Sequence, residues 1–150
     1  MRNRSTARRL TLVAAVALVI ALLSGCMSVD QTTVLGHVNK DRATQHRRAL
    51  GFSDELSVKA QAWSLHMARQ GKLSHNVLTK GLKGCFKTLG ENVGYGRTLA
   101  GVEKAFIDDL GIDPPVHRIN IMDTRYNVLG TGVTYLDGYY WVVHDFGQTC

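Results

Sequence analysis

Residues 89–96, Leu-Gly-Glu-Asn-Val-Gly-Tyr-Gly, place three glycines around one acid and one amide. Such a stretch is either a loop whose backbone cradles a phosphate or a strand bounded by turns that sets a carboxylate in place. A Walker loop requires Gly-x-x-x-x-Gly-Lys-Ser/Thr, but Gly94-Tyr95-Gly96 is followed by Arg97-Thr98, with the spacing wrong and the lysine missing. A dinucleotide fingerprint requires a third glycine where Leu99 stands. The surviving reading has Gly90 turning the chain into a short strand from Glu91 to Tyr95, Gly94 and Gly96 turning it out, and Glu91 at the strand start.

The flanking segments supply the rest of the fold. Upstream, Ser53 followed by Asp54 and Glu55 starts a helix, with a hydroxyl for the free N–H groups and acids at the positive end of the dipole. Leu56, Ala60, Trp63 and Met67 recur along it at helical spacing, Val58, Ala62 and Leu65 widen the apolar face, and Gly71 stops it. His75 follows at once in KLSHN, and residues 76–90 read as a solvated loop pinned by Cys85. A more exposed helix is expected from Val34 to about Arg48. Downstream, Thr98 caps a helix to about Leu110 with Val102, Ala105, Phe106 and Leu110 inward. The prolines of GIDPPVHRINIMD break that helix before a short turn from His117 to Met122. Two strands around Asp137-Gly138, a dipeptide suited to a type I′ hairpin, complete an α+β domain.

The N-terminus has a different character. Arg2, Arg4, Arg8 and Arg9 precede a nearly unbroken apolar run of 14 residues from Leu10 to Leu23, the layout of an export signal and short for a membrane span. The run ends in LLSGC, which resembles the bacterial lipobox, so residues 1–25 are read as a lipoprotein signal and Cys26 as the lipidated residue. Residues 26–33 would be a lipidated tether, and 34–150 the domain. A plain signal peptide or an anchor helix is the alternative. The chain's formal charge is +6, but four arginines sit in the signal, leaving 14 basic against 12 acidic residues beyond it. That balance lacks the basic stripe that binding to nucleic acid requires. With Cys26 acylated, Cys85 and Cys150 remain; they pair in an oxidising compartment or stay as free thiols.

His75, Glu91, Asp108, Asp109 and His117 each lie beside a helix end, a strand start or a proline break, where side chains gather at the rim of a sheet. His37, His46, His66 and His144 take structural readings. The segments VNKDRATQHRRALGFSDELSVKAQAWSLHMARQGKLSHN, GENVGYG, PPVHRINIMD and YYWVVHDFG, in that order, resemble the CAP superfamily of cysteine-rich secretory, antigen 5 and pathogenesis-related proteins, its small bacterial members above all. The resemblance implies a three-layer α-β-α sandwich with a central antiparallel sheet. It also implies a cleft tetrad of His75, Glu91, Asp109 and His117, Phe106 standing where the family usually has tryptophan and Asp109 where it has a longer acid.

Two imidazoles, His75 and His117, can hold zinc or another divalent cation, although no cofactor is required. The expected function is that of a cell-envelope lipoprotein on the extracytoplasmic side, anchored to the membrane through Cys26. Its CAP domain would bind a small molecule, lipid or sterol-like ligand without catalysis. The alternative is a metal-assisted hydrolase, a peptidase with Glu91 as base. No serine elbow or His-Glu-x-x-His helix supports the latter.

Overall fold

The computed structural model describes residues 27–110 and 113–150, so the expected signal segment and Cys26 lie outside the described residues. The elements run α1 (Val29–Thr44), β1 (Gly51–Phe52), α2 (Asp54–Gln70), β2 (Phe86–Gly96), α3 (Leu99–Asp108), α4 (Val116–Met122), β3 (Val128–Leu136) and β4 (Tyr139–Thr149). The strands form one sheet in the order β1-β3-β4-β2. Side chains alternate across β4: Trp141 and Val143 face α2 with Val93, Ala60 and Met67, whereas Val142 and Phe146 face a larger cluster with Val34, Val102, Phe106 and Ile121 of the other helices. This is the α-β-α sandwich, with α2 alone on one side.

Helix α2 lies almost on the backbone of β3. A Cβ at Gly130 would come within 2.3 Å of Leu56, and one at Gly132 within 2.2 Å of the Ala60 carbonyl. The same helix covers the free edge of β3. Thr131 N–H donates to Ser57 Oγ and Val133 N–H to Gln61 Oε1, and Gln61 Nε2 donates back to the Val133 carbonyl. Gln31 of α1 adds a bond to the Thr131 carbonyl. Edge groups that would otherwise be open to another strand are thereby satisfied.

Several expected boundaries move. Helix α1 begins at Val29, inside the stretch read as a tether, because Ser28 and Gln31 form a reciprocal capping box. Strand β2 begins at Phe86, since pairing with β4 extends to Thr149 and the Cys85–Cys150 disulfide closes the end of the ladder. Its lysines and glycines gave it the look of a loop. The sheet is antiparallel except for the two-residue β1, which pairs parallel with Val128 and Leu129. Leu110, expected to face inward, is 86% exposed, because α3 ends at Asp108. Val58 of α2 is likewise exposed. The hairpin turn has positive φ at Asp137 and Gly138, as type I′ geometry demands.

Candidate functional site

His75 is delivered by the end of α2. Gly71 takes the left-handed conformation at the helix C-terminus, and Trp63 Nε1 donates to the Ser74 carbonyl at 2.7 Å, fixing the residue next to the histidine. Beyond it, Lys59 Nζ holds the carbonyls of Val77 and Lys80. The His75 Nδ1–H donates to Glu91 Oε1 at 2.7 Å, and the Asn76 N–H donates to the same oxygen at 3.0 Å. The His75 side chain is 66% exposed and that of Glu91 2%. Glu91 is thus a buried group presenting an exposed imidazole.

Asp109 ends α3 with φ 48° and ψ 36°, a left-handed conformation that aspartate tolerates better than most residues. The turn brings its short side chain to His117, whose Nδ1–H donates to Oδ1 at 2.6 Å while the Arg118 N–H donates to Oδ2 at 2.8 Å. The shorter acid therefore reaches its histidine directly. Phe106 packs against His117, ring centroids 5.1 Å apart. Between the pairs, Asn92 Nδ2 donates to the His117 carbonyl, and Asn120 Nδ2 donates to Asn92 Oδ1 and the Glu91 carbonyl, tying α4 to β2. At the other end of α4, the buried Arg42 donates to the carbonyls of Ile121 and Asp123.

The sequence-derived tetrad is therefore two histidine–carboxylate pairs, His75–Glu91 and His117–Asp109. Each ring spends Nδ1 on its acid, and among the described residues neither Nε2 has a hydrogen-bond partner, an orientation typical of metal-binding histidines. A zinc centre needs at least three firm protein ligands. Among the described residues, no group of three or more His, Cys, Asp or Glu side chains is arranged to hold a metal ion. These residues supply two imidazole donors.

Beside His117 opens a cleft of about 660 Å³ between β2 and α3, its wall including Leu73, Tyr95, Val102, Ala105 and Phe106, with Asp109 at one side. The Tyr95 ring stacks on Trp141 at 4.9 Å. Tyr95 remains half exposed. That volume falls within the range of small-molecule sites.

Two buried acids escaped the sequence reading. Glu103 accepts from His144 Nε2 at 3.0 Å in the core, in keeping with a structural His144. Asp145, fully buried, stands directly opposite Glu91 in the β2–β4 ladder. Burial, then the Glu91 charge, pushes its carboxyl up to about 8, against a smaller opposing effect of Lys59. Only the strand register could have disclosed it. His66 is exposed and stacks on Trp63 at 4.5 Å, a helix-surface role.

Among solved structures, an outer surface protein of Borrelia burgdorferi matches with TM-score 0.69 at 15% identity, over 85% of this chain and 100% of that one. Venom allergen-like protein 4 of Schistosoma mansoni matches with TM-score 0.64 at 16% identity, over 83% and 91%. An extracellular protein of Bacillus anthracis containing an SCP domain matches with TM-score 0.60 at 19% identity, over 84% of this chain and 45% of that one. At these identities the likeness shows the fold alone. A sequence comparison with curated proteins finds no match. The family model described as "Cysteine-rich secretory protein family" matches residues 35–146, most of the chain. With that match and the observed sandwich, the chain belongs to the CAP family of cysteine-rich secretory proteins.

Proposed function

We propose that the protein is a binding module of the cell envelope whose cleft holds a small molecule with an apolar body, such as a lipid or sterol-like compound. The observation that carries this reading is the cleft of about 660 Å³, walled by Phe106, Val102 and the stacked Tyr95 with the His117–Asp109 pair at its side. Apolar walls supply the driving force for an apolar body, and the few polar groups at one side select its orientation. Binding needs no metal. It is favoured over hydrolysis because Glu91, the base candidate, is buried with Oε1 committed to His75 and Asn76. A base must reach an attacking water.

Placement on the extracytoplasmic face of a membrane, through lipidated Cys26, belongs to the same proposal. It is supported by the LLSGC motif and by the Cys85–Cys150 disulfide, which suits an oxidising compartment. Among the described residues no helix is long and apolar enough to cross a membrane.

The test is mass spectrometry of small molecules that co-purify with the full chain and with an Ala105→Trp variant. Ala105 lies exposed on the cleft wall, so the indole fills the cleft without entering the core. Enrichment of an apolar compound on wild type and its loss from the variant is the expected result. Equal recovery from both, or none from either, refutes the proposal.

A further inference from the structure

The carboxyl groups of Glu91 and Asp145 are neighbours with no donor between them. The two residues are directly paired in the antiparallel β2–β4 ladder, so their side chains leave the same face of the sheet about 5 Å apart at Cβ. Both are buried. Glu91 Oε2 and both oxygens of Asp145 have no hydrogen-bond partner among the described residues if each acid is a bare carboxylate. Three orphaned acceptors and two like charges in buried positions are a costly arrangement. One added proton removes the like-charge contact and pairs two of the three oxygens, turning one acid into a donor for the other.

We propose that Asp145 is a third member of the His75–Glu91 site, a positioning residue whose protonated carboxyl donates a hydrogen bond to Glu91 Oε2. The surroundings decide which acid keeps the proton. Glu91 Oε1 already accepts from the His75 Nδ1–H and the Asn76 N–H, which leaves Oε2 as its open acceptor. Asp145 has no such donor. Of the charged groups facing it, Glu91 on β2 opposes ionisation more strongly than Lys59 on α2 favours it. The proton is taken from solvent as the chain folds.

The hydrogen bond has a consequence for the exposed imidazole. With Oε2 held by Asp145, the Glu91 carboxylate cannot rotate, and Oε1 stays aimed at His75. The His75 ring, two-thirds exposed on a loop, is then held in one tautomer with Nε2 outward. Asp145 thereby acts on the His75 ring through Glu91 without touching it. The inference stands whether or not the cleft takes the ligand proposed above.

The experiment is carboxyl-carbon NMR of the full chain labelled at aspartate, in detergent, with the Asp145 signal assigned by its loss in Asp145→Asn. The expected signal at pH 6 is that of a neutral carboxylic acid. A signal already ionised at pH 6 overturns the proposal. Exchange of the His75 Nδ1 proton tests the positioning role separately. Asp145→Asn keeps a donor toward Glu91 and should retain wild-type exchange, whereas Asp145→Val should speed it about tenfold. Equal exchange in all three proteins, or equal acceleration in both variants, overturns that role. If the valine variant fails to fold, the wild-type carboxyl signal still decides the proton's position.

Discussion

Replacing Gly132 with alanine would put a methyl carbon 2.2 Å from the carbonyl carbon and oxygen of Ala60 and 2.5 Å from the nitrogen of Gln61. These are backbone atoms of α2, which no rotamer change can move. To restore an ordinary contact of 3.4 Å, helix and strand must separate by roughly 1.2 Å, the difference from the 2.2 Å approach. Separation on that scale loosens the packing of Leu56, Ala60 and Met67, all fully buried, and weakens the bonds from Ser57 and Gln61 to β3. Overpacking of a close core contact costs about 1–3 kcal/mol, and a backbone obstacle puts this site at or above the upper end. We expect a loss of about 3 kcal/mol. With an unfolding slope of about 1.5 kcal/mol per molar urea, the midpoint would fall by about 2 M. Gly36→Ala is the matched control, since it lies within α1 and its new methyl meets nothing within 4 Å. That change should raise stability by about 0.5–1 kcal/mol through helix propensity. A Gly132→Ala midpoint within about 0.5 M of wild type would refute the close packing of α2 on β3.

Three further predictions follow from separate parts of the molecule. Replacing Cys85 and Cys150 together by alanine opens a closure spanning 65 residues and should cost about 4 kcal/mol by loop entropy, read in urea; a loss under about 1 kcal/mol would contradict it. Asp145 is raised to about 8 in the fold from its ordinary value of 3.8, so its protonated form stabilises the native state fully below that lower value, and this contribution is lost as pH rises through 8. The stability of Asp145→Asn relative to wild type should therefore increase across that window, by at most about 1.4 kcal/mol per pH unit, and a flat difference from pH 5 to 8 would be inconsistent with the raised value. Cys26→Ser should release the protein from membranes or block its maturation, as fractionation and lipid labelling would show; a lipid-labelled, membrane-bound variant would refute the anchor.

Local chemistry made much of the fold legible. Ser53 and Gly71 bound α2 as their hydrogen-bonding and conformational preferences require, Thr98 caps α3, and Asp137-Gly138 turns the hairpin. These signals act within a few residues, so the sequence carries them openly. Strand β2 was underestimated because its first residues gain their conformation from β4 and the disulfide, partners more than fifty residues away. The start of α1 was open to reading in Ser28 and Gln31, yet the polarity of residues 27–33 suggested a tether.

By itself, the sequence showed the order of most elements through local propensity, and the family motifs, through their resemblance, pointed to His75, Glu91, Asp109 and His117. Only the tertiary structure decided that they act as two pairs, that Asp109 reaches His117 through a left-handed turn, and that Asp145 lies against Glu91. The physical reason is register. A strand's alternation says that a side chain points to one face or the other, but which residue it meets there depends on the pairing of distant segments, which no local signal encodes.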